Sequence, residues 1–294
     1  MGDGPIFGLT TAFTNFMLQP REVAQWSEAN GFESIWIGEH SHVPTGQKSL
    51  RPEYKETPAT YRELYDPLLT LMSIADATTT LKLGTSILII PEHHPIRLAK
   101  MISTLDQISG GRVILGVGAG WSAEEMADYG IEFKDRWKYT RECVLAMREI
   151  WNNEIAEFSG EMINFEPMWC GPKPVQPGGP RVLMGAWNRL ALPRAAEYCD
   201  GWLPVDQGER MAGFVNDLRE ECDRAGRSFD DLDLTVLIDS LAAFSTTDSV
   251  EKRVEELHAM GFKRMLLYFT QEREPAEVQW ENLERLGAIV KTFR

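Results

Sequence analysis

The sequence is poor in several features that would place it in a familiar class of protein. Four cysteines occur in 294 residues and none forms a C-x-x-C pair, so we expect reduced thiols and neither disulfides nor a cysteine-bound zinc. The longest apolar runs, such as residues 86–90, are far too short to cross a bilayer. The N-terminal residues lack the basic segment and apolar core of a secretory signal. These absences predict a cytoplasmic protein.

Basic residues are scarce as well. The chain has 30 Lys and Arg against 44 Asp and Glu, a formal net charge of −14, and no block rich in Lys or Arg. Proteins that bind nucleic acids or anionic membranes need a basic face, so the composition argues against both partners. An anionic ligand would have to be held by a local basic pocket or by the N-termini of helices.

What the sequence does contain is a repeated alternation of short apolar runs and helical patterns. Strands that are buried on both faces read as nearly continuous apolar runs, and most of these runs do. Eight strand–helix units in a chain of this length favour one α/β domain over residues 1–294, a (β/α)8 TIM barrel, rather than an open doubly wound sheet. The predicted strands are residues 6–13, 34–39, 81–90, 112–120, 181–186, 201–205, 232–238 and 264–269.

Two long connections interrupt the barrel pattern, residues 41–65 after strand two and residues 153–180 before strand five. Loops of this length within a compact domain are usually functional or disordered. The first carries Tyr54, Tyr61 and Tyr65, which favours an ordered lid. The second contains AEFSGEMINFE, a pattern that predicts a small hairpin.

The functional residues of such a barrel lie at the C-terminal ends of its strands. Glu39, His40 and His42 follow strand two, and His93 and His94 follow strand three. Two histidines on alternate residues are typical of metal-dependent hydrolases, but that site also needs a Lys, an Asp and further histidines from other strands. The chain has five histidines in all and no Lys or closing acid at the other strand ends. We therefore predict no metal and interpret His42 as a polar loop residue.

Two glycine-containing turns are candidates for binding a ligand through the backbone. Residues 116–120, GVGAG, lack the full dinucleotide fingerprint, so they indicate either close strand–helix packing or the approach of a flat ring. Residues 185–190 lead into a predicted helix whose N-terminus suits a phosphate. Arg189 and Arg194 on that helix either add positive charge or lie on a solvated face.

Four segments that follow one another over residues 34–205 carry a family resemblance. They are IWIGEHSHVP, LGTSILIIPEHHPIRLAKMISTLDQISGGRVILGVGAGWSAEEMADYG, PKPVQPGGPRVLMGAWN and AAEYCDGWLP. Together they resemble the luciferase-like monooxygenase superfamily, and within it the branch that uses the deazaflavin coenzyme F420. The part from Leu83 to Gly120 is the most specific, because it combines H-P, L-D-x-x-S-x-G-R and the glycine turn in one block.

The resemblance implies a barrel that binds a flavin-type cofactor at its C-terminal mouth, without a tightly held metal. It implies a non-prolyl cis peptide bond in strand three, which maps onto Ser86–Ile87, and it places Gly118 and Gly120 near the cofactor. Gly185–Ala186 corresponds to the residues near the cofactor phosphate. The family often has Gly-Gly at that position, whereas this chain has Gly-Ala followed by the bulky Trp187.

Glu39 and His40 match the acid–histidine pair beside the deazaflavin in related dehydrogenases and reductases. The resemblance therefore implies hydride transfer between F420 and a small organic substrate, with His40 donating or accepting the accompanying proton. Glu39 is expected to orient the imidazole or to bond to the edge of the ring. Trp121, Tyr54 and Trp169 either form the substrate side of the site or pack as ordinary aromatic residues.

Two other functions fit the same fold. An FMN-dependent monooxygenase would use O2 and a separate reductase, and a non-catalytic protein would bind the cofactor without chemistry. The presence of both Glu39 and His40 argues against the non-catalytic alternative. Dimerisation is common in the superfamily, which makes a homodimer an expectation here. The two insertions are expected to determine which substrate is bound.

Overall fold

Eight of the apolar runs form the parallel strands of a closed barrel, and helices surround it. The computed structural model describes residues 4–49, 57–186, 188–238, 247–269 and 273–294. The strands are β1 (Ile6–Thr11), β2 (Ser34–Ile37), β3 (Lys82–Ile89), β4 (Val113–Gly118), β5 (Ile155–Ser159), β6 (Asn164–Trp169), β7 (Arg181–Met184), β8 (Gly201–Trp202), β9 (Asp233–Ile238) and β10 (Arg264–Tyr268). The helices are α1 (Pro20–Ala29), α2 (Pro67–Ala77), α3 (Pro95–Ser109), α4 (Ala123–Asp128), α5 (Arg136–Asn152), α6 (Leu192–Tyr198), α7 (Met211–Arg224), α8 (Thr247–Ala259) and α9 (Ala276–Thr292).

The barrel closes because β1 pairs in parallel with both β2 and β10. Leu9 lies opposite Ile35 on one side and opposite Leu267 on the other. Around the barrel the strands follow the order β1-β10-β9-β8-β7-β4-β3-β2. Since all eight strands are parallel, their C-terminal ends meet at one rim. The predicted (β/α)8 barrel is confirmed, and each of its strands lies within its predicted apolar run.

Proline and capping residues fix where the helices begin and end. Pro20, Pro67 and Pro95 stand in the first turn of α1, α2 and α3, where a missing N–H costs no helical hydrogen bond. Asp66 caps α2 by accepting a backbone hydrogen bond of 2.8 Å from its first turn. Helix α3 ends at Gly110, whose φ of 68° is left-handed.

The two insertions differ in what they build. The second contains the predicted hairpin, in which β5 and β6 pair antiparallel. The described part of the first includes a 3₁₀ turn at Ala59–Glu63, but Tyr54 lies outside the described residues. Tyr61, in that turn, reaches the C-terminal rim, whereas Tyr65 is exposed. No helix in the part of the chain that the structure describes is long and apolar enough to cross a membrane.

A second layer of packing fills the inside of the barrel. Ile35 and Ile37 of β2 belong to the main core, so Trp36 between them faces the opposite side, into the barrel. There it packs in one cluster with apolar side chains from other strands or strand ends: Ile114, Leu183, Leu203 and Leu266. The barrel is therefore a packed core below the rim and not an open channel.

Glycine is required beside the indole of Trp36. A Cβ atom on Gly84 would lie 2.1 Å from a ring carbon of Trp36, and one on Gly8 would lie 2.9 Å from its ring nitrogen. Neither position leaves room for any side chain. The widest residue inside the barrel therefore fits only because β1 and β3 carry glycine next to it.

The opposite, N-terminal rim carries a buried ionic cluster. Arg264, at the start of β10, bonds to Glu33 and to Asp233, at 3.0 Å in each case. Burial would raise the pKa of Glu33, but the charge of Arg264 lowers it to about 2. These three side chains join the starts of strands β2, β9 and β10, so this end of the barrel is held by structural contacts.

Gly84→Ala is expected to destabilise the fold by about 2–3 kcal/mol, because the added methyl group overlaps the buried indole. The control is Gly213→Ala on α7, where a Cβ atom would meet nothing within 4 Å. That substitution should be neutral or stabilising, since Ala has the higher helix propensity. Urea denaturation measures both, and an equal effect of the two substitutions would contradict the packing described for Trp36.

Candidate active site

A cavity of about 430 Å³ opens at the C-terminal rim. It is lined by seven of the eight residues predicted to form the site: Glu39, His40, Ser86, Ile87, Gly120, Gly185 and Ala186. The eighth, Gly118, packs beneath the cavity wall and does not line it. The structure thus brings together residues from predicted strands two, three, four and five or from the positions directly after them.

One wall is built around the Ser86–Ile87 peptide bond, which is cis, as the resemblance implied. The pairing of β3 with β4 shifts register at this point. The side chain of Ile87 fits because two of its neighbours are glycines. A Cβ atom added to Gly118 would lie 2.6 Å from the Ile87 side chain, and one added to Gly185 would lie 2.1 Å from it. These two glycines therefore make room for Ile87. The hydroxyl of Ser86 lies 2.7 Å from that of Thr10 on β1.

His40 lies at the edge of the cavity, and its ring is fixed on three sides. Its Nδ1 lies 3.0 Å from a carboxylate oxygen of Glu125 on α4. The ring stacks on Tyr61 with centroids 4.6 Å apart and meets Trp121 edge-on at 5.4 Å. Nε2 has no hydrogen-bond partner among the described residues. Because an ionised carboxylate only accepts hydrogen bonds, Nδ1 carries the proton and Nε2 is the nitrogen left for a ligand.

Glu39 has other partners than His40, so the expectation that it orients this imidazole is wrong. One of its oxygens accepts a hydrogen bond of 2.6 Å from the backbone N–H of Ile89, and the other lies 2.9 Å from Nε2 of His93. Burial would lower the pKa of His93, but its hydrogen bond to Glu39 raises it. Glu39 therefore ties the end of β2 to the end of β3, and Glu125 is the residue that positions His40.

Sequence reasoning recognised Glu125 only as part of a helix cap. The cap exists, since the hydroxyl of Ser122 accepts a hydrogen bond from the backbone N–H of Glu125. The side chain of Glu125 instead points to His40, across 85 positions of sequence. No local pattern signals a contact of that range, which is why it was missed.

Helix α4 holds the loop that follows β2 through its other acids too. Glu124 accepts hydrogen bonds from the backbone N–H groups of Lys48 and Ser49, at 2.9 and 3.2 Å. Asp128 lies 3.0 Å from Nε2 of His42. His42 is thus a loop residue held by the helix, as the sequence interpretation had it. Within the described residues, no group of three or more His, Cys, Asp and Glu is placed to hold a metal ion.

Glu92 is a third buried carboxyl in this region, and sequence reasoning did not single it out. It is 7% exposed, and neither of its side-chain oxygens has a hydrogen-bond partner among the described residues. Burial, together with the neighbouring charges of Glu125 and Glu39, raises the pKa of Glu92 to about 9. The raised pKa favours the neutral acid form of Glu92 at pH 7.

The basic residue at the cavity is Arg136, not either of the two arginines considered from the sequence. The helix predicted over residues 189–198 is present, but it begins three residues later, at Leu192, because Pro193 fixes its first turn. Arg189 therefore lies before the helix. Arg189 pairs with Asp217 at 2.9 Å on an exposed surface. Arg136 lines the cavity and lies 3.6 Å from the centre of the Phe133 ring.

Arg136 also has unused hydrogen-bonding capacity. Its Nε is buried without a partner among the described residues, and no acid forms an ion pair with it there. Burial lowers the pKa of Arg136, and the nearby charge of Arg194 lowers it further. A half-buried cation beside another cation, with no ion-paired acid on Arg136 among the described residues, favours an anion at this part of the mouth.

The three aromatic residues considered for the substrate side have separate outcomes. Trp121 lines the cavity. Trp169 is 77% exposed at the end of β6 and does not line it, so that placement is wrong. Tyr54 lies outside the described residues. Tyr61, which the sequence assigned only to a lid, takes the position against His40.

The fold and the cavity place the chain among TIM barrel proteins that bind their ligand at the C-terminal rim. The model of the Luciferase-like monooxygenase family matches residues 19–288, and the chain belongs to this family. It is an oxidoreductase of the luciferase-like superfamily, as the resemblance implied.

Proteins named as F420-dependent and a protein solved with FMN are both similar to this chain. An uncharacterized protein of Mycobacterium tuberculosis is 33% identical over 224 residues, which cover 75% of this chain and 79% of that protein. The F420-dependent glucose-6-phosphate dehydrogenase of Amycolatopsis mediterranei is 27% identical over 230 residues, 74% of this chain and 64% of that protein. The oxygenating constituent of 3,6-diketocamphane monooxygenase from Pseudomonas putida, solved in complex with FMN, has a TM-score of 0.75 at 16% identity. The match covers 99% of this chain and 98% of that one.

Glu92→Gln is expected to gain stability relative to the native chain as pH rises. A carboxyl with the ordinary pKa of 4.5 ionises in the unfolded chain, whereas folded Glu92 keeps its proton to about pH 9. The native fold therefore loses stability between these values, and the non-titrating Gln does not. From pH 4.5 to pH 7 the difference in unfolding free energy should move in favour of the variant by about 3 kcal/mol.

Urea denaturation at several pH values measures this difference. The exposed Glu157→Gln serves as the control and should show no comparable trend. A stability difference between Glu92→Gln and the native chain that stays constant from pH 4.5 to pH 7 would mean that Glu92 is ionised in the fold.

Proposed function

We propose that the protein transfers a hydride between coenzyme F420 and a small organic substrate, with His40 as the proton donor or acceptor. The observation that carries this proposal is the placement of His40 at the cavity, with Nδ1 held by Glu125 and Nε2 without a hydrogen-bond partner in the described part of the chain. Hydride transfer to or from a carbonyl or alcohol moves a proton as well, and an oriented imidazole is the side chain suited to carry it near neutral pH.

The residues of the cavity fit a flat, anionic cofactor. Ile87 and the glycines around it offer an apolar wall for a ring. Thr11 and Arg136 both line the cavity. The hydroxyl of Thr11 and Nε of Arg136 are buried and have no hydrogen-bond partner among the described residues. Arg136 is the one Lys or Arg among the described lining residues, so it is the group that would hold a phosphate. When bound, a deazaflavin supplies a hydride donor or acceptor that does not activate O2.

The chain's own residues then have distinct tasks. Glu125 keeps the proton on Nδ1 of His40 and fixes the direction of the ring, so that Nε2 can give or take a proton at the substrate. Tyr61 and Trp121 restrict the ring to this orientation and reduce the water around it. Glu39 keeps the ends of β2 and β3 together beneath them.

An FMN-dependent monooxygenase is the second candidate, because a similar fold has been solved in complex with FMN. The two candidates differ in the cofactor that the cavity retains. Fluorescence titration with F420 and with FMN separates them: we expect F420 to bind more tightly, and tight binding of FMN with no binding of F420 would overturn the cofactor proposal. The predicted homodimer can be checked on the same sample by light scattering.

His40→Ala is expected to lower the turnover number by about 10²–10⁴-fold, because the reaction loses its general acid or base. His42→Ala is the matched control, since this neighbouring histidine bonds to Asp128 on an exposed surface and should leave turnover within about twofold. Stopped-flow measurement of cofactor oxidation or reduction gives both values. Equal turnover in the native chain and the His40→Ala variant would remove His40 from the mechanism.

Arg136→Gln is expected to weaken F420 binding by about 10–100-fold, the range expected for the loss of a charge-assisted hydrogen bond. The matched control is Arg189→Gln, which removes an arginine that pairs with Asp217 on the surface. Its dissociation constant should equal that of the native chain. If Arg136→Gln binds F420 as tightly as the native chain does, the phosphate lies elsewhere.

A further inference from the structure

His40 belongs to a cluster of five acidic and histidine side chains, and the proposed chemistry uses only some of them. It consists of Glu39, His40, Glu92, His93 and Glu125, and it joins the ends of β2 and β3 to helix α4. Its three carboxyl groups are all more than nine-tenths buried, at 8%, 7% and 2% exposure for Glu39, Glu92 and Glu125. They share one small volume, because the charges of Glu39 and Glu125 both act on Glu92.

The cluster contains fewer imidazoles than carboxyl groups. Glu125 pairs with His40 at 3.0 Å, and Glu39 pairs with His93 at 2.9 Å. Glu92 has no imidazole, Lys or Arg within ion-pair distance among the described residues, and its oxygens are buried without partners. A buried charge without a counter-ion is strongly unfavourable, whereas a carboxylic acid is neutral. With no cation beside it and two other carboxyl groups nearby, Glu92 is the acid of the cluster for which the neutral form is most favoured.

We propose that Glu92 carries the proton of this cluster and thereby leaves Glu125 as the charged partner of His40. While Glu92 is neutral, Glu125 remains the charged partner of His40, and Nε2 of His40 is left to exchange a proton with the substrate. If Glu92 lost its proton to solvent, a third negative charge would hold the proton on His40 more firmly. This inference rests on the proposed role of His40 as the group that exchanges a proton.

The groups that face Glu92 come from every element around it. Glu39 follows β2, Ser41 lies in the loop after it, and Glu125 lies on α4; the hydroxyl of Ser41 favours the ionised form of Glu92, and the two carboxylates oppose it. From α5, Tyr139 donates a hydrogen bond of 2.7 Å to the backbone carbonyl of His93 and remains neutral, because burial raises its pKa. The balance of these groups retains the proton on Glu92.

The test compares the same chemical change at two neighbouring carboxyl groups. Glu92→Gln replaces a neutral acid by a neutral amide, so the midpoint of the His40 titration should stay within about 0.3 pH units of the native value. Glu125→Gln removes the charged partner of His40, so that midpoint should fall by about one pH unit or more. NMR of isotope-labelled histidine follows both in the protein without cofactor or substrate, and the variant His40→Asn assigns the signal.

A second measurement uses the native chain and does not depend on how the variants fold. Infrared difference spectra should show a protonated carboxylic acid at pH 7 that disappears near pH 9. Glu92→Gln should lack this signal. The limb of the kcat/KM profile that His40 produces should stay in place in Glu92→Gln, because a neutral amide replaces a neutral acid, and should move to lower pH in Glu125→Gln.

Two results would overturn the proposal. One is a His40 midpoint that falls in Glu92→Gln as far as it does in Glu125→Gln, because Glu92 would then be ionised. The other is an infrared signal near pH 9 that persists in Glu92→Gln, because another group would then carry the proton. Neither result depends on whether the protein uses F420, so failure of the cofactor proposal is detected separately by the binding titrations.

Discussion

Parallel hydrogen bonding between β1 and β10 closes the barrel, and each feature of the site depends on that closure. An open sheet would spread its strand ends along a line, whereas a closed one gathers the ends of β2, β3, β4 and β7 around a single mouth. Closure also leaves an interior that must be filled. The indole of Trp36 fills much of it, next to glycines on both flanking strands. The cavity is the space that remains above this packed layer.

Helix α4 turns the loop after β2 into one side of the site. Only six residues long, it holds backbone groups of the loop through Glu124 and one imidazole each through Glu125 and Asp128. The helix is itself fixed by its Ser122 cap and by Gly120 before it, whose φ of 69° allows the turn out of β4. Three acids on one short helix thus hold His40 and the loop that follows it in place. The excess of negative charge in the chain has a local structural use here.

The site has two parts that differ in character. The cis bond at Ser86–Ile87 and the glycines around it build the wall on which a flat cofactor is expected to lie. The acid–histidine cluster behind that wall has a different character, because three buried carboxyl groups share two imidazoles. Such a cluster is stable only if one acid stays neutral. We assign the neutral acid to Glu92, whose oxygens have no hydrogen-bond partner among the residues that the structure describes.

The sequence by itself determined the elements of the barrel and the residues around its mouth. Strand runs, proline starts and glycine stops are local signals, and a parallel barrel brings strand ends together whatever their detailed contacts. Only the tertiary structure decided which acid meets which imidazole. Glu39 directly precedes His40 in the sequence, yet it bonds to His93. Glu125 bonds to His40 from 85 positions away. Neighbours in sequence at the end of a strand point in different directions, and partners across a barrel mouth are chosen by the packing of helices, which no local pattern records.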